Sequence, residues 1–356
     1  MDMTIHTYEI QTTPPYPVLI GRALLPQAGA LIRERVQPCR CLLAADATVD
    51  ALYGATVAES LAQAGFAVCR YSFPAGEGSK TMAELQRLLE ESAARQLGRD
   101  GMIVALGGGV SGDLAGLAAA LYLRGIRYVQ MPTTLLAAVD AAVGGKTAVN
   151  LPAGKNLAGA IHQPQMVIGD CDTFSTLPPQ IWQAGLGECI KYGMLGSAAL
   201  LRCLSDGSYQ HDIPALVNQC VAIKARFIAA DEYDSGERQL LNFGHTIGHA
   251  IERCSNYSIA HGLAVATGMA IITRAAVKRN LCSLTTLNAL TEALTACDLP
   301  LNTNFSAQEL AQAALQDKKR RGEYITLVLP QSGSAGGCAR YKLPIIELEG
   351  FIEEGI

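Results

Sequence analysis

Six short apolar runs, each ending on a turn, constrain the first half of this chain more than any other feature. They fall at 18–21, 41–45, 67–73, 102–106, 127–131 and 166–168. Helical periodicity fills much of the sequence between them, as at 48–64, 79–97 and 114–123. The runs that are apolar without a polar gap, such as 41–45 and 102–106, suit strands buried on both faces. Separated by helices, they predict a Rossmann-like α/β domain with a mostly parallel sheet. After Pro178-Pro179 the pattern changes. Helical periods then cover 183–195, 213–230, 241–254, 262–279 and 284–297, with one late apolar run, 324–329, readable as a strand or hairpin arm. Paired prolines resist helix continuation. The sequence therefore predicts an α/β N-terminal domain over 1–177, followed by a mainly α-helical domain over 178–356.

Composition narrows the partners. Hydrophobic residues make up 49% and charged residues 17%, which excludes a disordered chain. A net charge of −4 gives no global basic field, so neither nucleic acid nor an acidic membrane surface is expected as a partner. Eleven scattered cysteines without a C-x-x-C read as reduced thiols of a cytoplasmic protein, and zinc bound by cysteine is not expected. The opening Met1-Asp2-Met3-Thr4 lacks the basic start of a signal peptide. No segment is expected to reach the ~18 apolar residues of a membrane span. The longest candidate, 262–273, ends at Arg274.

Gly107-Gly108-Gly109-Val110-Ser111-Gly112-Asp113 follows a strand and opens a helix, satisfying G-x-G-x-x-G. Such glycines let backbone approach a pyrophosphate, whose charge suits a helix N-terminus. The acidic residue usual ~20 positions downstream is missing; the first is Asp140, and Asp46 at an earlier strand end is the alternative. Thr133 and Thr134 end the next strand, where helix capping competes with ligand binding. Lys146, Lys155 and Asn156 stand in a glycine-rich, otherwise uncharged segment, which favours an anion over surface decoration.

Three of the six histidines fall between 245 and 261. His245 and His249 are i, i+4 and share a helix face, and His261 begins the next helix. With a carboxylate they can form part of a zinc site; two packed core histidines is the bland alternative. Glu188 sits mid-helix in Gly187-Glu188-Cys189-Ile190-Lys191, either paired with Lys191 or acting as a ligand. Lys224, Arg238 and the run Lys318-Lys319-Arg320-Arg321 complete the cations, and on pattern alone Arg320 and Arg321 read as surface.

Taken together, these runs resemble the 3-dehydroquinate synthase family of sugar phosphate cyclases. The matching segments are Gly76-Glu77-Gly78-Ser79-Lys80, GGGVSGDLAG at 107–116, YLRG at 122–125, PTTLLAAVDAAVGGKTAVN at 132–150 and GKNLAGAIHQP at 154–164. They continue with GECIKYG at 187–193, DEYDSGERQLLNFGHTIGHAIE at 231–252, HGLAVATGM at 261–269 and Asp317-Lys318-Lys319. Leu263 stands where the family commonly has glutamate, and Gly187 where alanine is common.

The resemblance implies an NAD-binding first domain, a metal- and substrate-binding second domain and a homodimer. It implies zinc or cobalt held by Glu188, His245 and His261, with His249 on the substrate side. Substrate contacts map onto Asp140, Lys146, Asn156, Lys191, Lys224, Arg238, Asn242 and His249, with Lys318 or Lys319. Arg124 is expected to reach the partner subunit's phosphate site. NAD contacts map onto Asp46, Glu77, Lys80, Gly109, Val110, Ser111, Gly112, Asp113, Thr133, Thr134, Lys146, Lys155, Thr173, Phe174, Ser175 and Thr176. The implied reaction converts 3-deoxy-D-arabino-heptulosonate 7-phosphate to 3-dehydroquinate and phosphate. It runs by transient oxidation, phosphate elimination, re-reduction and an intramolecular aldol step. The rival readings are a cyclase for another sugar phosphate, such as sedoheptulose 7-phosphate, and a metal-dependent alcohol dehydrogenase.

Overall fold

Side chains alternate across a strand, so an apolar run without polar gaps must find a hydrophobic neighbour on both faces. In β3 (Arg40–Asp46) Cys41, Leu43 and Ala45 join one core, and Leu42 and Ala44 join another. The computed structural model describes residues 4–316, 320–332 and 337–356. Lys318 and Lys319 lie outside them. The described chain groups into two units, Met1–Leu177 and Pro178–Ile356.

Among the described residues, unit 1 is built on a seven-stranded sheet. Its strands are β1 (His6–Ile10), β2 (Tyr16–Gly21), β3, β4 (Ala67–Phe73), β5 (Met102–Gly107), β6 (Arg127–Pro132) and β9 (Val167–Asp170). The order is β1-β2-β9-β6-β5-β3-β4, parallel except for the antiparallel β1–β2 pair. Helices α1 (Ala28–Arg33) and α3 (Ala55–Gln63) supply Ala28, Ile32, Val57 and Leu61 to one core. Helices α4 (Met82–Ala94) and α5 (Gly109–Leu121) supply Leu85, Leu88, Leu114 and Ala118 to the other. The helix expected over 48–64 is broken: one turn, α2 (Ala47–Val49), passes into a π-turn, Asp50–Gly54, before α3. The glycine-rich segment is a hairpin, β7 (Lys146–Leu151) with β8 (Gly154–Ile161). Its small residues and single bulge conceal the alternation that marks a strand.

From β3 the chain runs outward to β4 and then, through α4, crosses back past β3 to β5 on its other side. The sheet therefore changes direction between the ends of β3 and β5, where doubly wound sheets place their ligands.

Unit 2 is mainly helical. Its helices are α6 (Pro179–Gly196), α7 (Ala198–Ser205), α8 (Ile213–Ala230), α9 (His245–Cys254), α10 (His261–Lys278), α11 (Leu284–Ala296), α12 (Ala307–Leu315) and α13 (Leu348–Gly355). The late apolar run is β11 (Tyr324–Pro330), between β10 (Arg320–Arg321) and β12 (Cys338–Pro344). Every residue of α6 from 184 to 195 is buried, as suits a helix crossing the interior of its unit. One sequence expectation needs correction: α8 is long and apolar enough to span a membrane, with 18 residues and a mean hydropathy of 1.3. It carries Lys224 and Arg226 and buries Val217, Cys220, Val221 and Ile228, as a core helix does.

Candidate active site

In unit 1 the glycines act as a hinge between strand and helix. Gly107 has φ +147°, and a Cβ there would lie 2.3 Å from Ser111 Oγ. A Cβ on Gly112 would lie 2.5 Å from Gln130 Oε1 on β6, so this glycine lets α5 press against the sheet. Gly109, Val110, Ser111, Gly112 and Asp113 form the first turn of α5. Asp46, at the end of β3, caps α2 through Oδ1, at 3.0 Å from Thr48 N and 3.1 Å from Val49 N. Its Oδ2 lies 3.5 Å from Ser111 Oγ, so the acid and the glycine turn face each other across the direction change.

Beside this turn, Lys80, Asp113 and Asn156 form one contact set. Buried Lys80 Nζ pairs with Asp113 Oδ2 and donates to Asn156 Oδ1 at 2.5 Å. Asn150, which the sequence reading did not single out, ties the set together. Its Nδ2 donates to Glu77 Oε1 (2.7 Å), and its Oδ1 accepts from Asn156 N (2.9 Å). Asp113, Lys146 and Asn156 line a cavity of about 360 Å³ along the hairpin. Lys155 lies on β8, and Asp140 lies in the π-turn Ala137–Ala141.

Several expected cofactor residues also have local roles. Thr134 Oγ1 accepts from Ala137 N at 3.1 Å, the capping alternative. Thr133 is buried, with its N–H on the Gly107 carbonyl (2.9 Å). Thr173, Phe174, Ser175 and Thr176 lie in the turn Cys171–Thr176. There Thr173 Oγ1 donates to Asp170 O (2.7 Å), Ser175 Oγ to Asp172 O (2.7 Å) and Thr176 Oγ1 to Thr173 O (2.9 Å). Arg124 is exposed, and φ of +50° at Leu123 and +70° at Arg124 holds both in a left-handed conformation that L-residues disfavour.

In unit 2, Glu188 is wholly buried on α6. Lys191, one turn on, pairs with its Oε2. Oε1 stands 3.7 Å from His245 Nε2 and 3.5 Å from His261 Nε2. The two alternatives left open for Glu188 are therefore compatible, one at each oxygen. Tetrahedral ligands at ~2.1 Å from a zinc-like ion lie about 3.4 Å apart, so these spacings fit a divalent ion. The Nδ1 atoms point elsewhere: His245 Nδ1–H donates to Phe243 O (3.1 Å), and His261 Nδ1–H donates to Glu252 Oε2 (2.9 Å). The His249 ring stands 5.5 Å from that of His245 and 5.7 Å from that of His261.

Close helix packing builds this cluster. A Cβ on Gly262, beside His261, would lie 1.8 Å from Ala184 O on α6, so only glycine lets α10 approach so near. Gly244, the N-cap of α9 before His245, has φ +79°, and its Cβ would lie 2.7 Å from Val265 O on α10. Burial by itself favours a neutral His261, but Glu188 and Glu252 outweigh it and raise the ring to about 10. A metal at Nε2 would take the place of a proton there.

Cations complete the unit. Lys191, Lys224 and Arg238 are all buried, an expensive place for charge unless it has a use or a partner. Arg238 Nη1 donates to Glu232 O at 2.6 Å. Asp231 organises its loop, accepting from Ser235 N (3.0 Å), Gly236 N (2.6 Å) and Arg238 N (3.2 Å). Asn242 Nδ2 donates to Gln239 O (3.0 Å), closing the turn before α9. A cavity of about 470 Å³ in this unit, reached by Met194, Leu201 and Thr286, touches none of the expected site residues. Sequence reasoning missed Glu252, although His245, His249 and Glu252 repeat at i, i+4, i+7 on one helix face.

A mostly parallel-sheet unit followed by a helical unit is a fold this chain shares with solved sugar phosphate cyclases. A 2-deoxy-scyllo-inosose synthase, crystallised with carbaglucose-6-phosphate, NAD+ and Co2+, matches with a TM-score of 0.88 at 28% identity. The match covers 99% of this chain and 100% of that one. ValA, the 2-epi-5-epi-valiolone synthase of Streptomyces hygroscopicus subsp. jinggangensis 5008 with NAD+ and Zn2+ bound, matches at 0.85 and 26% identity. Here coverage is 95% of this chain and 96% of that one. The sequence is more specific. The 3-dehydroquinate synthase N-terminal family pattern matches residues 70–184, and the C-terminal pattern matches 185–320. The 3-dehydroquinate synthase of Symbiobacterium thermophilum is 41% identical over 325 residues, 88% of this chain and 91% of that one. This chain belongs to the 3-dehydroquinate synthase family.

Proposed function

We propose that the chain converts 3-deoxy-D-arabino-heptulosonate 7-phosphate to 3-dehydroquinate and phosphate, the second step of the shikimate pathway. In this reading it is a phosphorus–oxygen lyase that uses NAD and zinc or cobalt. Residues 1–177 form the NAD-binding domain, and 178–356 the metal- and substrate-binding domain. The observation that carries the reading is the convergence of Glu188 Oε1 with Nε2 of His245 and His261 at ligand spacing, in a chain of this family. When bound, NAD supplies a transient hydride acceptor at C5, and the metal a Lewis acid at the C5 oxygen.

The chain's own residues do the rest. Lys146, Lys191, Lys224 and Arg238, with Lys318 or Lys319, hold the substrate's carboxylate and phosphate, arginine as a fork and lysine as a point charge. Asp140, Asn156 and Asn242 orient its hydroxyls, which holds the sugar in a reacting conformation. His249 moves a proton near the oxidised hydroxyl. Asp46, Glu77, Lys80, Thr133, Thr134, Lys155, the 109–113 turn and the 173–176 turn hold the dinucleotide.

The proposed homodimer draws support from the Arg124 turn, where Leu121 and Leu123 are exposed next to a strained, cationic loop. A cytoplasmic setting is consistent with eleven free cysteines.

The test follows phosphate and NADH absorbance together, with zinc, substoichiometric NAD and the heptulosonate phosphate. Phosphate far in excess of NAD, without NADH build-up, is expected. NADH accumulating without phosphate would mark a dehydrogenase instead. Turnover of sedoheptulose 7-phosphate or glucose 6-phosphate alone would mark another cyclase.

A further inference from the structure

Glu252 is buried, and its Oε2 stands 2.9 Å from His261 Nδ1. It shares a helix face with His245, seven residues earlier on α9, yet its carboxylate reaches a histidine on α10. His249, Glu252 and His261 also come within ligand range of one another. The spacing decides between a second metal group and a hydrogen bond. A tetrahedral ion holds two ligand atoms about 3.4 Å apart, so 2.9 Å is the distance of an N–H donating to a carboxylate. With the Nδ1 proton engaged, Nε2 is the nitrogen left for a cation, and Nε2 is the atom that faces Glu188 Oε1 at 3.5 Å. His245 is set the same way by a backbone carbonyl. The two histidines therefore differ in how Nδ1 is held, His261 by a carboxylate and His245 by a backbone carbonyl.

We infer that Glu252 is the positioning residue of the metal centre, holding His261 with its proton on Nδ1 and Nε2 turned to the ion, and so setting metal affinity. The inference rests on the metal reading above. An outer carboxylate on a ligand histidine typically contributes 10–100-fold to affinity.

The test compares wild type, Glu252→Gln and Glu252→Ala, with Glu188→Gln as a ligand control. Each is stripped by a chelator and titrated with cobalt(II) against a competing dye. Glu252→Ala should bind cobalt ~10–100-fold more weakly. Glu252→Gln, whose amide oxygen can still accept the Nδ1 proton, should lose less and keep the wild-type visible cobalt spectrum. In the zinc-loaded wild type, long-range proton–nitrogen NMR should show a slowly exchanging Nδ1–H on His261, absent in Glu252→Ala. Wild-type affinity in folded Glu252→Gln and Glu252→Ala would overturn the inference and leave the metal reading standing. A changed cobalt coordination in Glu252→Gln would make Glu252 a ligand and overturn it too. Failure of the wild type to bind cobalt, with Glu188→Gln indistinguishable from it, would instead overturn the metal reading.

Discussion

Lys191 pairs with Glu188 Oε2 one turn along α6, which leaves Oε1 as the oxygen facing His245 and His261. One carboxylate thus has an ion pair on one side and a ligand cluster on the other. We predict that Glu188→Gln loses bound metal, measured by elemental analysis. Because Lys191 is buried and loses its counter-charge at Glu188, the variant should also be less stable by about 3 kcal/mol in urea denaturation. Full metal content in the variant would remove Glu188 from the ligand set.

Gly262 is a second point of leverage. Its substitution by alanine would set a methyl group 1.8 Å from Ala184 O, a backbone atom that cannot rotate away. Gly262→Ala should therefore push α10 from α6, lower stability by about 1–3 kcal/mol and weaken metal retention. A thermal melt and a chelator challenge measure the two effects. A variant that melts with the wild type and keeps its metal would show that the helices need not approach so closely.

Asn150 gives a prediction about substrate positioning. It receives the Asn156 N–H and donates to Glu77, while Asn156 holds the unusual φ of +55°. Asn150→Ala should release Asn156, raising KM for the sugar phosphate ~10-fold, equivalent to about 1.4 kcal/mol, with kcat changed less. Steady-state kinetics with saturating NAD decide it, and an unchanged KM would count against the role given to Asn156.

The loop bearing Arg238 should respond to acid in a defined direction. Burial would raise the Asp231 carboxyl, but the N–H groups of Ser235, Gly236 and Arg238 outweigh it and hold it below the usual range. A group depressed on folding adds stability above its unfolded value of ~3.9 and loses it as pH falls through the folded value. Asp231→Asn should thus be less stable than wild type at pH 7, by less than about 1 kcal/mol because the loop meets water. The gap should narrow between pH 7 and an acid pH below the folded value. Urea titrations at the two pH values measure it; a gap that persists in acid would assign the effect to packing.

His249 can be separated from the metal ligands. On the proposed reading, His249→Ala keeps its metal yet loses turnover ~100-fold, the usual scale of positioned acid–base catalysis. Metal analysis and kcat on the same preparation test this. Near-normal turnover would give the proton step to another group.

The sheet strands were legible because apolar runs such as 41–45 and 102–106 can be satisfied only by burial on both faces. The glycine turn and the histidine spacing were legible because each depends on neighbours a few residues away. The β7–β8 hairpin was not, since Gly154, Gly159 and the alanines around them carry little alternation. Nor was the break in the 48–64 helix, which is marked in the sequence by little more than Gly54 at the end of the π-turn. Residue types and local spacing thus determined the α/β and helical halves, the phosphate-type turn and the candidate ligands. Tertiary structure alone decided which oxygen of Glu188 faces the histidines, which nitrogen of each histidine is turned inward, and that Glu252 aims His261. Those choices depend on helices far apart in sequence meeting at glycines, and on hydrogen bonds formed only after they meet.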